Sequence, residues 1–363
     1  MKKLLCVILT AIICVVTVSA SSPPRVSAAS AVLIEASTGD IIYEKSAHER
    51  RPMASTTKIM TAVVAIEHAD LSREVSVSDE AVGVEGSSIY LKGGEHLTLE
   101  ELIFALMLES ANDAATAIAC EIAGSVDKFA ELMNEKAAEI GLSDTNFTNP
   151  HGLDHENHYT TAHDLAVLTA YALKNETFSK IVSTYKTTIP LYGDEGTRLL
   201  LNHNKMLKTY EHAIGVKTGF TKKSGRCLVS AAEKGGMTLI AVTLSAPDDW
   251  RDHKSMLDYG FTKYERIPLA DPGTVTISVP VVGGATSEVK VTNPDGASHC
   301  VPTEKTDITS VTELKRFYYA PIKAGEILGK ITFYNNGKKL TSVDLASTEE
   351  IKAAPKKSWK LFG

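Results

Sequence analysis

The chain of 363 residues is poor in cysteine, has no metal-ligand motif, and carries no excess of charge large enough to select a partner. Lysine and arginine number 38 against 44 acidic residues, a net charge of −6, and no stretch resembles a basic RNA- or DNA-reading motif. A nucleic-acid partner is excluded on that ground. Of five cysteines, Cys6 and Cys14 fall in the apolar N-terminal run, and neither follows a small residue as a lipoprotein cysteine would. The odd remainder, Cys120, Cys227 and Cys300, argues against a disulfide framework. Cys120 in an apolar helical stretch and Cys227 in an apolar strand read as buried free thiols. There is no CxxC and no HExxH, and the group His151, His155, His158 and His163 reads as loop and helix-cap residues, so neither a metal nor a cofactor is expected. Beyond Ala31 no second long apolar run occurs.

What is present begins at the N-terminus. Lys2 and Lys3 precede an uncharged run from Leu4 to Val18, and Val18-Ser19-Ala20 offers a small-x-small cleavage site, the pattern of a secretory leader. Val26-Ser27-Ala28 offers a second, and the run is shorter than the roughly 20 residues a spanning helix needs. The domain reading takes 1–28 as the leader and places the mature chain outside the cytoplasmic membrane. Ala31–Ile34 and Ile41–Tyr43 form a hairpin around Ser37-Thr-Gly-Asp40. Helices follow at Ser55–His68, Thr98–Glu109, Asn112–Ala123, Val126–Ile140 and Thr161–Leu173, with a capping box at Thr98-Leu-Glu-Glu101 and stops at Gly124 and Gly141. Strands are expected at 186–191, 213–217, 227–232 and 239–244, then a helix over 249–259. The early hairpin is expected to join the late strands in one sheet, giving an α+β domain over 29–266. A small all-β domain follows over 267–345, and 346–363 is a tail whose lysines surround Trp359, Leu361 and Phe362. Such a tip suits peripheral contact with an anionic membrane and equally suits solvent.

Three short motifs carry the chemistry: Ser55-Thr-Thr-Lys58, Ser110-Ala-Asn112 and Lys217-Thr-Gly219. At i and i+3 on a starting helix, Ser55 and Lys58 share a face. A serine hydroxyl needs a neighbouring base to become a nucleophile, and a lysine serves once burial or a nearby cation lowers its pKa. Lys217 supplies that cation. Ser110, in a loop between helices, is placed to relay a proton to the leaving amine, and Asn112 to orient a substrate amide. The glycine at 219 lets a substrate backbone approach, and the backbone N–H groups of Ser55 and Phe220 make the oxyanion pair. Ser183-Thr-Tyr-Lys186 also satisfies S-x-x-K, but it runs into a strand-like stretch that would turn Lys186 away.

In this order the motifs resemble those of the penicillin-recognising serine enzymes. Ala54-Ser-Thr-Thr-Lys-Ile-Met-Thr61, Ser110-Ala-Asn-Asp-Ala114, Asn149-Pro-His-Gly-Leu-Asp154 and Gly215-Val-Lys-Thr-Gly219 are similar to segments of the low-molecular-mass D-alanyl-D-alanine carboxypeptidases, peptidase family S11. The resemblance spans roughly 30 to 266 and implies a β-lactamase/transpeptidase-like domain followed by a small all-β domain. It implies a peptidoglycan stem peptide ending in D-Ala-D-Ala as substrate and β-lactams as covalent inhibitors. It also implies that Lys217, Thr218 and Arg251 hold the substrate's C-terminal carboxylate. Two features depart from the family: Phe220 stands where some relatives have histidine, and the long C-terminal amphipathic anchor is reduced to a basic tip.

A β-lactamase would require a glutamate between S-x-N and K-T-G to activate the deacylating water. Asn146–Asp154 holds none, and Glu131-Leu-Met-Asn134 has the wrong spacing. A D,D-endopeptidase, or a non-catalytic β-lactam sensor or wall-binding scaffold, would carry the same motifs. The intact Ser55, Lys58, Ser110, Asn112 and Lys217 argue against a decayed site.

Overall fold

The computed structural model describes residues 22–193, 196–304 and 306–355. A five-stranded antiparallel sheet organises the larger domain, in the order Ile41–Lys45, Ser30–Glu35, Met237–Leu244, Gly225–Lys234, Ala213–Thr221. The early hairpin thus pairs with the late strands as the sequence leads one to expect. Ser30–Glu35 is buried along its whole length because the sheet is covered on both faces. Alternate side chains go opposite ways: Val32 and Ile34 meet the main helical layer, while Ala31 and Leu33 meet Met256 and Leu257 of the helix Asp249–Lys263.

On the first face lies the helix Lys58–His68, whose residues from Lys58 to Ala65 are all buried. Apolar on every side, it is the central helix of the layer. Leu99–Leu108, Asn112–Ala123, Val126–Glu139 and Ala162–Ala172 are the other helices expected there. Thr98 and Glu101 close the capping box on each other's backbone N–H, at 3.2 and 2.7 Å. The structure adds a helix, Glu176–Ser183, and a strand, Thr197–Leu201, that the sequence pattern does not mark; the strand pairs with Lys186–Pro190 as a hairpin. Ser183 therefore ends a helix and Lys186 starts a strand, which disposes of the second S-x-x-K.

The smaller domain carries a six-stranded sheet around Val289, Val291, Leu345 and Ile351, joined to the larger by the strand pair Tyr264–Ala270 and Ala297–Pro302. Both ends of the sequence-based domain division shift. At the C-terminal end, Ile351 is buried and bridges Ile322, so residues 346–353 belong to the β domain. At the N-terminal end, Val26 and Ala28 are buried, and the backbone N–H groups of Ser27 and Ala28 donate to Asp252 at 2.8 and 3.0 Å. Residues 26–28 are built into the larger domain. The apolar run read as a leader, Leu4 to Val18, and the basic tip from Lys356 onward lie outside the described residues. Among those described, no helix is long and apolar enough to cross a membrane.

Candidate active site

A cleft of about 380 Å³ opens where the strand Ala213–Thr221 faces the start of the central helix, lined by Ser55, Ser87, Ser110, Thr218, Gly219 and Phe220 among others. That strand is the outer member of its sheet, so one hydrogen-bonding edge is free for an extended guest backbone. The helix begins as a 3-10 turn, Ala54–Thr57, with Ala54 at φ 47°. The turn is fixed from below. Thr56 donates to the Met53 carbonyl at 2.6 Å and Thr57 to the Ala54 carbonyl at 2.8 Å. His158 Nδ1 accepts from the Thr148 N–H at 3.0 Å, which leaves Nε2 to donate to Thr57 Oγ1 at 2.7 Å. Burial pushes the His158 imidazole down to about 4, so this neutral tautomer persists.

Lys58 is fully buried, and its Nζ meets three oxygens: Ser55 Oγ at 3.1 Å, Asn112 Oδ1 at 2.6 Å and the His151 carbonyl at 2.6 Å. Burial is the main cause of a pKa well below that of an ordinary lysine; the nearby Lys217 cation lowers it further, while Asp113 opposes. A neutral amine has two N–H donors and one lone pair. The amide oxygen and the carbonyl can only accept, so they take both N–H groups. The lone pair is left for the one partner able to donate, the Ser55 hydroxyl. Burial favours this neutral form, and in it Lys58 can remove that proton.

Lys217, also buried, donates to the Thr218 carbonyl at 3.0 Å, and burial lowers its pKa to about 7. Ser110 lines the same cleft as Ser55, its backbone in the left-handed region at φ 61°, an uncommon conformation for serine of the kind found at working sites. Asn112 is buried, and its side chain is built into the support of Lys58. Its Oδ1 holds Lys58 and its Nδ2 donates to the Glu85 carbonyl at 2.5 Å. Gly219 packs where a β-carbon would stand 3.0 Å from the Ser55 nitrogen, and Phe220, two-thirds exposed, forms the lip. Cys227 lines the cleft too, but burial pushes its thiol up to about 11, which keeps it protonated and unreactive.

The loop 149–154 supports both walls. Besides the His151 carbonyl on Lys58, the Pro150 carbonyl accepts from Thr61 at 2.6 Å, and Asp154 accepts from Thr221 at 2.9 Å at the end of the K-T-G strand. Asn149 closes the loop on itself through the Gly152 N–H and the Leu153 carbonyl. Among the described residues no group of three or more His, Cys, Asp or Glu is placed to hold a metal ion.

Arg251 is elsewhere. It is largely exposed, pairs with Asp248 at 3.0 Å and lines a separate groove with Met206 and Tyr210. The reason is helical geometry: Asp249 faces the cleft, and two residues at about 100° each carry Arg251 to the opposite side. The guanidinium that does line the cleft is Arg226, held by buried Asp249 at 3.1 Å and lying over Trp250. It stands directly opposite Phe220 in the strand pairing. A strand begun at Cys227 hides it; closing the hairpin at Thr221 and Gly225 brings Arg226 to the mouth of the site.

Comparison with known proteins finds relatives over about nine tenths of the chain. A family model described as D-alanyl-D-alanine carboxypeptidase matches residues 17–248, and one described as penicillin-binding protein 5, C-terminal domain, matches 264–353. A D-alanyl-D-alanine carboxypeptidase of Bacillus subtilis is 35% identical over 339 residues, 90% of this chain and 86% of the relative. Penicillin-binding protein 5 of Haemophilus influenzae superposes with a TM-score of 0.75 at 28% identity, over 92% of this chain and 99% of its own. PBP3 of Streptococcus pneumoniae, described as a peptidoglycan synthesis regulatory factor, gives 0.77 at 25% identity, over 90% and 100%.

Proposed function

The chain belongs to the peptidase S11 family of D-alanyl-D-alanine carboxypeptidases, and from that premise we propose that it removes the terminal D-alanine of peptidoglycan stem peptides through a Ser55 acyl-enzyme. The observation that carries this reading is a fully buried Lys58, its pKa lowered chiefly by that burial, with Nζ 3.1 Å from Ser55 Oγ and held there by Asn112 Oδ1 and the His151 carbonyl. Ser55 Oγ attacks the carbonyl between the two D-alanines as Lys58 takes its proton. The oxyanion is held by the backbone N–H groups of Ser55 and Phe220. The proton taken by Lys58 passes through the Ser110 hydroxyl to the departing amine as the C–N bond breaks, and D-alanine leaves. Water then attacks the ester, its proton returning to Ser55, and the shortened stem departs. Asn112 acts as a positioning residue for Lys58. Lys217 and Thr218 hold the substrate's carboxylate, with Arg226 taking the part that the family resemblance gives to Arg251.

A β-lactam, with its carboxylate in the same place, acylates Ser55. No glutamate stands in 146–154 to activate water there, so that ester persists. The substrate lies outside the cytoplasmic membrane, and the leader is the means of export. Cleavage after Ala20 fits the larger domain; cleavage after Ala28 would remove residues packed in it.

The deciding experiment is D-alanine release from diacetyl-Lys-D-Ala-D-Ala by the native chain and by Ser55→Ala. Release by the native chain alone establishes activity and nucleophile. Absence of release alongside covalent penicillin binding at Ser55 moves the protein to the endopeptidase or sensor reading.

A further inference from the structure

A second groove, of about 570 Å³, adjoins the catalytic cleft, lined by Ser88, Tyr90, Lys92, Glu109, Tyr192 and Leu199 among others. The two share a rim. Ser87 faces the cleft and Ser88 the groove; Ser110 faces the cleft and Glu109 the groove. His203 of the cleft lies 3.2 Å from Glu109 across the boundary.

Both walls are anchored, so the groove is preformed. On one side, Asp113, next to Asn112 and buried, accepts from Ser88 Oγ at 2.6 Å and from the Leu91 N–H at 3.0 Å. Between these anchors Tyr90 is held at φ 60° with 81% of its surface exposed. A left-handed backbone at a bulky residue costs energy, and burial of the ring does not offset it. On the other side the hairpin Lys186–Pro190/Thr197–Leu201 is tied down. Arg198 grips buried Glu95 with both terminal nitrogens, and Glu109 accepts from the Leu201 N–H at 2.6 Å. That hairpin displays Tyr192 and Leu199, both about half exposed.

We propose that this groove binds the amino-sugar units of the glycan strand to which the stem peptide is attached, an inference that rests on the carboxypeptidase reading. With the substrate's carboxylate at Thr218 and Arg226, the chain upstream of the scissile bond runs toward the Ser87 end of the cleft. The four residues of a pentapeptide upstream of that bond span roughly 13–14 Å when extended, enough to bring the sugar-bearing end over the rim. A pyranose ring has an apolar C–H face bordered by hydroxyl and N-acetyl groups. Exposed tyrosine faces match the first, and Lys92, Glu109 and Arg198 match the second. The groove thus distinguishes stems on polymer from free peptides.

The test compares D-alanine release from a free stem pentapeptide and from the same pentapeptide on its N-acetylglucosaminyl-N-acetylmuramyl disaccharide. The native enzyme should show the higher kcat/KM on the disaccharide substrate. Tyr90→Ala and Tyr192→Ala should each lower that value by about tenfold and leave both the free pentapeptide and penicillin acylation of Ser55 unchanged. Equal loss on both substrates would mean a peptide subsite and overturn the proposal, as would a native enzyme without preference. Failure of the native chain to release D-alanine from either substrate strikes the carboxypeptidase reading instead. Competition against penicillin acylation then decides the groove: a disaccharide peptide that competes better than the free one, with the advantage lost in Tyr90→Ala, supports it, and equal competition overturns it.

Discussion

Gly152 lies against Ala54 so closely that a β-carbon on it would stand 2.0 Å from the Ala54 carbonyl oxygen and 2.9 Å from the Ser55 nitrogen. Gly152 is at φ 89°, so a side chain there would be strained as well as obstructed. The turn that presents the nucleophile rests on a position with no room for any side chain. Gly152→Ala should lower penicillin acylation by on the order of 10²-fold, because displacement of the nucleophile and one oxyanion donor by a fraction of an ångström misaligns the attack. Stopped-flow acylation measures it; a native rate would show that the turn is not seated by this contact.

Lys58 and Lys217 titrate in opposite senses for activity. Raising pH generates the neutral Lys58 that accepts the serine proton, while it discharges Lys217, whose pKa burial lowers to about 7. The profile of kcat/KM is therefore expected to be bell-shaped, with Lys217 setting the descending limb. A bound carboxylate restores the charge on Lys217, so the same limb should lie at higher pH in kcat. Coincident descending limbs in the two profiles would exclude Lys217 as their origin.

Arg226 and Arg251 separate cleanly by experiment. Arg226→Ala should raise KM for the peptide about 10- to 100-fold with kcat little changed, since a charge-assisted contact made equally in ground and transition states is lost. Arg251→Ala, on the far side of its helix, should be indistinguishable from native. The reverse outcome would return the carboxylate to Arg251.

Asp252 is buried and accepts from the backbone of Ser27 and Ala28 and from the Ser27 hydroxyl. A chain begun at Ala29 leaves that carboxylate without those donors. It should melt on the order of 5 °C below one begun at Ser21. Calorimetry of the two compares them, and intact mass of the exported protein should give Ser21 as the first residue.

The three motifs are legible because the chemistry demands particular side chains at particular spacings, and the helix ends because Thr98, Gly124 and Gly141 are local signals that tertiary structure does not override. The helix Glu176–Ser183 is not legible: at eight residues it offers two turns, and it runs straight into a strand. Arg251 is misplaced by sequence for a related reason. Its distance along the chain from K-T-G suits the role, but which side of a helix faces a cleft depends on packing that one sequence does not display. Arg226 needs the register of a hairpin, which turns on whether the strand starts at Gly225 or Cys227. The support from loop 149–154 is likewise visible only as a familiar string of letters, since its contacts are carbonyl oxygens and a missing β-carbon.

The burial of Lys58 separates two parts of the enzyme by their access to dissolved ions. Lys58 is sealed from solvent, so mobile salt cannot enter to screen its coupling to Lys217. Arg226, with 44% of its side chain exposed, sits among those ions. Salt is therefore expected to act on how firmly a stem peptide is held and to have little purchase on how fast its bond is cut.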